Sequence, residues 1–259
     1  MYKIIPCIKE ESGVFISSTH EVIEEVPLAV TINGRHALTV MTSPHMIREF
    51  VIGLLFTERI IHGAEEIESV HIEPGKVSVL TTNPFKILVS KKTVLSGCGG
   101  SSSYLDVAKL PRVSSGLVLD AGTIRSAVKE TLQSDLHVKT GGIHVVGLFS
   151  DKGTIMITED IGRHNALDRV IGYGLLNNVN FSGTFVVSSG RISSEMVRKC
   201  LIAGIPVIIS RGATTTLAVE TAEQANLTVV GFVRGQKMII YTHPGRIKGA
   251  SASGESGLP

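Results

Sequence analysis

The run TFVVSSGRISSEMVRKCLIAGIPVIIS, residues 184–210, sets two short β-branched segments on either side of a helical one. TFVVSS and PVIIS read as strands. ISSEMVRKCLIAG reads as a helix with Gly204 at its stop. Ile192, Met196 and Cys200 follow at four-residue spacings, which makes them a buried stripe of that helix. A strand, a helix and a strand joined by short connections imply a sheet with a parallel part, covered by helices.

The same alternation extends in both directions. GTIRSAVKETLQ (122–133) is helical, and IHVVGLFS (143–150) and TIMITED (154–160) are strands around the turn DKG. GRHNALDRVIGYGLL (162–176) and TTLAVETAEQAN (215–226) are helical, while LTVVGFVRG (227–235) and KMIIYTH (237–243) are strands. Before residue 118 the chain is strand-rich. Asn33-Gly34 between PLAVTI and RHALTV marks a hairpin, because both turn positions take positive φ. SVHIEPGKVSVLTT (69–82) reads as a second hairpin. Between the two, Ser43 as N-cap and Pro44 at the first position start a helix over HMIREFVIGLLFTERII that Gly63 stops. The expected organisation is a smaller strand-rich α+β domain over 1–118, an α/β domain over 119–247 with helices on both faces of a mixed sheet, and a disordered Gly/Ser-rich tail over 248–259.

The chain has 259 residues, 25 Lys and Arg against 23 Asp and Glu, and three cysteines. This near balance of charge argues against nucleic-acid or membrane-surface binding. The apolar run FVIGLLF is too short to span a membrane. An odd cysteine count without framework spacing, and no signal-peptide pattern at the start, point to a reduced cytoplasmic protein. No C-x-x-C, H-E-x-x-H, G-x-G-x-x-G or P-loop occurs, so no motif supports a metal, dinucleotide or NTP site.

In open α/β sheets, ligands meet the carboxyl ends of the strands. Those ends read SSGRISSE, SRGATTT and GFVRGQK. Arg191, Arg211 and Arg234 therefore converge on one edge, with Ser188, Ser189, Ser193, Thr214 and Thr215 beside them. Guanidinium forks, hydroxyls and glycines make an anion site. Any one of these arginines alone would read as a surface ion pair. Residues 159–168 add Glu159, Asp160, Arg163, His164, Asn165 and Asp168 where a strand passes into a helix. Two readings stay open there: Asp168 orients the His164 imidazole on one helical face, or the acids merely cap and pair. His144, entering its strand after a glycine pair, reads as a structural hydrogen-bonder, and Cys7 has no telling context.

Cys98 stands apart, in LSGCGGSSSY (95–104) within a region, 91–116, that has no period and reads as a long loop. Flanking glycines expose its sulfur and let backbone N–H groups approach a thiolate.

Together SGCGGSSS, TGGIH, EDIGRHNALDRVIG, SSGRISSEMVRK, GIPVIISRGATTTLAVE, GFVRGQKMIIYTHPGRI and, upstream, REFVIGLLFTERII closely resemble the formate dehydrogenase accessory sulfurtransferases, the FdhD family. The resemblance implies a cytoplasmic homodimer whose α/β part is similar to cytidine deaminase without the zinc ligands. It implies that a cysteine desulfurase loads sulfur on Cys98 as a persulfide. The sulfur then passes to the molybdenum cofactor, a bis-guanine-dinucleotide molybdopterin, for formate dehydrogenase. Cofactor, or a GDP-like nucleotide in its place, is expected at Phe232, Val233, Arg234, Gly235, Gln236 and Lys237. The strand-edge residues Arg191, Arg211, Ser189, Thr214, His164, Arg163 and Asp160 are expected to assist. Some members carry C-G-x-C in the loop, where this chain has Ser101. That departure keeps open a chaperone that binds cofactor without carrying sulfur. A hydrolase using His164 as base is the third alternative.

Overall fold

The structure is a computed structural model that describes residues 1–83 and 110–250. The Cys98 loop from 91 to 109 and the tail from 251 lie outside the described residues. The described ends of both are anchored. Val113 is buried and its N–H donates to the Ala225 carbonyl, while Lys248 N donates to Leu119 O. Residues 248–250, expected to be disordered, therefore still belong to the fold.

Two long strands, β1 (Tyr2–Glu11) and β2 (Val14–Ile23), pair only with each other as an antiparallel ribbon. A four-stranded sheet follows in the order β4-β3-β6-β5, from β3 (Val26–Ile32), β4 (Arg35–Thr42), β5 (Ile67–Glu73) and β6 (Lys76–Thr81). Both expected hairpins are present, and Asn33 and Gly34 take φ of 49° and 76° at the first turn. Leu28, Val30, Ile32, Leu38, Val40, Val77 and Val79 bury one face of this sheet against α1 (Ile47–Thr57).

The start of α1 differs from the expectation. Met46 in the left-handed region, not Ser43, is its N-cap, and no side chain caps it. Ser43 is held elsewhere: its backbone N–H donates to Asp160 Oδ2 at 3.0 Å. At the other end the helix stops at Glu58, and Gly63 instead precedes a short 3-10 turn.

The second sheet has six strands in the order β12-β11-β10-β9-β7-β8. These are β7 (His144–Ser150), β8 (Gly153–Asp160), β9 (Thr184–Ser188), β10 (Val207–Ser210), β11 (Thr228–Arg234) and β12 (Lys237–Ile240). The central three, β9, β10 and β11, are parallel, and β7, β8 and β12 run antiparallel to their neighbours. Side chains alternate within these apolar strands. Val146, Leu148, Val186, Ile208 and Val229 face α4 (Arg163–Leu176), α5 (Ser194–Ala203) and α6 (Thr216–Gln224). Phe149, Phe185, Val187, Val207, Ile209 and Val230 face α2 (Ala121–Thr131). The mixed sheet with helices on both faces is thus the fold expected from the sequence. Cys200 is fully buried in the α5 stripe, and burial pushes its thiol far above the usual range. A six-residue helix, α3 (Asp135–Thr140), was not anticipated; Ser134 caps it.

Helices α1 and α4 cross at glycines. A Cβ on Gly53 would lie 1.8 Å from the Asp168 carbonyl oxygen, and one on Gly172 would lie 1.9 Å from that of Glu49. The crossing fixes the N-terminal sheet to the second sheet through backbone contact.

Candidate functional site at the strand ends

Strand direction gathers the candidate residues on one edge. The carboxyl ends of β9, β10 and β11 lie there because the three are parallel. His144 opens β7 and sits opposite Asp160, the last residue of β8, while Val146 sits opposite Ser188. The first turns of α4, α5 and α6 all start from this edge.

Most hydroxyls expected to meet a ligand instead shape the loops. Ser189 Oγ accepts from Val145 N at 2.9 Å, and Ser189 N donates to Val145 O, so this residue continues the sheet. Ser210 Oγ donates to Gly190 O at 2.6 Å and accepts from Gly212 N at 2.8 Å, tying two neighbouring loops. Thr214 Oγ1 donates to Ile192 O at 3.3 Å. Ser193 and Thr215 are the N-caps of α5 and α6. Their polarity is explained by the capping of backbone donors.

The three arginines do not all converge. Arg211 and Arg234 line a cavity of about 580 Å³ at the sheet edge under α2. Val233, Gly235 and Gln236 complete that side, and Arg125, Ser126 and Lys129 of α2 close the other. Four cationic side chains meet in this cavity, and no carboxylate is among its lining residues. Arg234 Nε donates to Arg211 O at 3.3 Å, and its guanidinium lies 5.5 Å from the centre of the Phe232 ring. Phe232 itself sits at a bulge with φ of 51°, a strained conformation for a bulky residue, and its N–H donates to Gly212 O. Lys237 pairs with Arg234 across the turn. Arg191 is exposed on the adjacent loop and does not line the cavity.

The α2 residues were missed. Arg125 and Lys129 are four apart in a helix recognised from the sequence, so their shared face was legible. What they face was not, because that depends on which side of the sheet α2 covers.

Arg163, His144, His164 and Arg191 make a second group at the same edge. A Cβ on Gly190 would lie 2.9 Å from His144 Nδ1 and 3.3 Å from Arg163 Cδ, so glycine there permits a close approach. Burial holds His144 below its ordinary pKa, helped by the Arg163 charge. Burial, again with Arg163, pushes His164 down to about 3. His164 Nε2 lies 3.2 Å from Ser193 Oγ and 3.4 Å from Glu195 Oε2. With a neutral imidazole the Glu195 contact is a polar contact and not an ion pair. Arg163 Nε is buried without a hydrogen-bond partner among the described residues.

Two expectations for residues 159–168 are corrected. Asp168 does not orient His164. It is buried and binds Lys199 Nζ at 2.8 Å and Thr57 Oγ1 at 2.8 Å, tying α4 to α5 and α1. Asp160, assigned above to the cofactor, is fully buried. It accepts from Thr42 Oγ1, Ser43 N, Gly162 N, Asn165 Nδ2 and Arg169 Nη1. Five donors occupy its lone pairs, and none remains for a ligand. Glu159 accepts from Ser134 Oγ at the start of α3, and burial raises its carboxyl pKa. Among the described residues no cluster of His, Cys, Asp and Glu is arranged to hold a metal ion. Nor is any helix there long and apolar enough to cross a membrane.

The mixed α/β scaffold thus carries a cationic cavity at its strand ends, and comparison with known proteins gives its class. The FdhD/NarQ family model matches residues 23–248, and the chain belongs to that family. The sulfur carrier protein FdhD of Bacillus pumilus is 36% identical over 244 residues, 91% of this chain and 93% of the relative. That of Geobacillus kaustophilus is 34% identical over 251 residues, 93% of this chain and 95% of the relative. Among solved structures, a proposed formate dehydrogenase accessory protein from Desulfotalea psychrophila superposes with a TM-score of 0.80 at 28% identity. That match covers 95% of this chain and 99% of the other.

Proposed function

We propose that this protein is a sulfur carrier for formate dehydrogenase maturation, loaded at Cys98 and acting on the guanine-dinucleotide molybdenum cofactor held at the sheet edge. The observation that carries the cofactor half is the cavity where Arg125, Lys129, Arg211 and Arg234 meet without a carboxylate. A diphosphate is the ligand whose charge matches it, and guanidinium forks bind phosphate oxygens bidentately. The segment expected from the family to hold cofactor supplies four of the lining residues, Val233 to Gln236.

Cys98 lies outside the described residues, and its role rests on its sequence setting and on relatives that are sulfur carrier proteins. Loading is a thiol exchange. The Cys98 thiolate attacks the outer sulfur of the persulfide on a cysteine desulfurase, the S–S bond breaks, and the donor cysteine leaves as thiolate. Handing that sulfur on as a sulfide ligand takes two electrons, which we assign to a thiol reductant. Cys98–S–SH and two RSH then give Cys98–SH, one sulfide with its two protons, and RSSR. Cys200 takes no part, since its buried sulfur is held protonated.

The test is the intact mass of the protein after incubation with a cysteine desulfurase and cysteine, beside Cys98→Ser. A reductant-labile gain of one sulfur in the wild type alone supports the carrier reading. If neither protein gains sulfur while both bind GDP, the carrier reading falls, and a cofactor chaperone that uses only the cationic cavity takes its place.

A further inference from the structure

Three cationic side chains are buried among the described residues: Arg169, Lys199 and Arg246. Arg169 pairs with Asp160, and Lys199 with Asp168. Arg246 is only 8% exposed and has no such partner among the described residues. Burial alone lowers its pKa, with no acidic group acting against it. A charge buried without a counter-charge is costly, so the arrangement asks for an anion.

The surroundings fix how Arg246 is aimed. It ends the short 3-10 turn Pro244–Arg246, where its carbonyl accepts from Leu119 N. Its Nη1 donates to Thr228 Oγ1 at 3.2 Å, and that hydroxyl donates on to His243 O at 3.0 Å. Thr228 is fully buried, so the guanidinium is held at the amino end of β11. Nε is buried without an acceptor among the described residues, and Nη2, also without one there, is open to solvent. Nε–H and Nη2–H are the parallel pair with which a guanidinium grips two oxygens of one anion. Thr228 occupies the one nitrogen that this grip does not use.

We propose that Arg246 is the binding site for a small free carboxylate, of which formate is the smallest, gripped through Nε and Nη2 at the amino end of β11. Leu119, Thr228 and Ile247 beside it are buried, so the opening admits a carboxylate head and not a nucleotide. One guanidinium balances one negative charge, whereas a phosphate dianion would bring a second with no partner. The site is separate from the cationic cavity. β11 runs from Thr228 to Arg234, and at a rise of about 3.3 Å per residue its ends are roughly 20 Å apart.

Thermal melts of the full chain in sodium formate, against sodium chloride at equal ionic strength, test this. The limit on binding per heavy atom holds a three-atom ligand to a dissociation constant on the order of 1 mM. In about 50 mM formate the wild type should therefore melt about 3–5 °C higher than in chloride. Arg246→Met replaces the unpaired charge by an apolar chain. It is expected to melt no lower than the wild type in chloride and to gain nothing from formate. Arg246→Lys keeps the charge without the fork and should bind formate about tenfold more weakly. Saturation-transfer NMR on the formate proton reads binding to the wild type directly, and with the lysine variant it decides the matter if Arg246→Met does not fold. A wild type that melts alike in both salts and shows no transfer overturns the proposal, as does formate stabilisation that persists in Arg246→Met. Inorganic phosphate that displaces formate at equal concentration overturns the carboxylate assignment. Neither Cys98 nor the cationic cavity enters these readouts.

Discussion

Gly53 of α1 and Gly172 of α4 stand against each other so closely that each leaves room only for a hydrogen. A Cβ on either would enter the other helix's carbonyl oxygens at 1.8–1.9 Å, and would lie 2.8–2.9 Å from the other glycine's own nitrogen. Backbone cannot yield as a flexible side chain does. Gly53→Ala and Gly172→Ala should each force the helices apart and cost about 1–3 kcal/mol or more. Urea denaturation would read this as a lower midpoint, and unchanged midpoints would mean that the crossing adapts.

Asp160 and Arg169 form a fully buried ion pair, and Arg169 also donates to Thr42 Oγ1 and the carbonyls of Ser43 and His45. Removing one buried partner strands the other charge, at about 3–5 kcal/mol. Asp160→Asn and Arg169→Met should therefore lower the melting temperature sharply. If Asp160→Asn instead left stability intact and abolished nucleotide binding, the ligand role rejected above would be restored.

Acid should destabilise the fold before the carboxylates titrate fully. Burial lowers His45 to about 4 and His164 to about 3, against 6.5 for the unfolded chain. Stability from keeping them neutral is complete above 6.5. It is lost as pH falls from there toward 4 and 3, because the unfolded state binds protons that the folded state refuses. The loss has a slope of up to about 1.4 kcal/mol per pH unit per group. Thermal melts of His164→Gln between pH 7 and 4 should fall less steeply than wild type, and parallel curves would refute the assignment.

Arg125→Gln and Arg211→Gln should each weaken GDP binding about tenfold or more, the value of one charge-assisted hydrogen bond. Arg191→Gln should weaken it much less, since that side chain does not line the cavity. Titration calorimetry at two salt concentrations checks both statements. Equal losses for all three would place the ligand on the loop side of the edge and not under α2.

Alkylation of the native protein should spare Cys200, which is fully buried with its thiol held protonated. Mass mapping after iodoacetamide treatment, repeated in denaturant, reads the contrast. Labelling of Cys200 before unfolding would mean that α5 opens locally.

The strands and helices were legible because their signals are local: Asn33-Gly34 needs only its own turn, and the α5 stripe only its own spacing. Ser43 misled because its partner, Asp160, lies 117 residues away, and that bond draws it out of the capping role. The His164–Asp168 spacing was real, but Lys199 on a different helix claims the carboxylate. Arg191, Arg211 and Arg234 were equivalent in sequence, yet the cavity lies on the α2 side and takes only two of them. No local pattern reports on which face of a sheet a helix will lie.

Asp168 and Arg169 are consecutive, and both reach the N-terminal half: one meets Thr57, the other Thr42 and the carbonyls of Ser43 and His45. With the Gly53–Gly172 crossing, this makes inheritance of the two halves inseparable. A chimera that exchanged one half for that of a relative would have to carry both sides of each contact. Drift at Thr42, Thr57 or Gly53 is constrained by residues more than a hundred positions downstream.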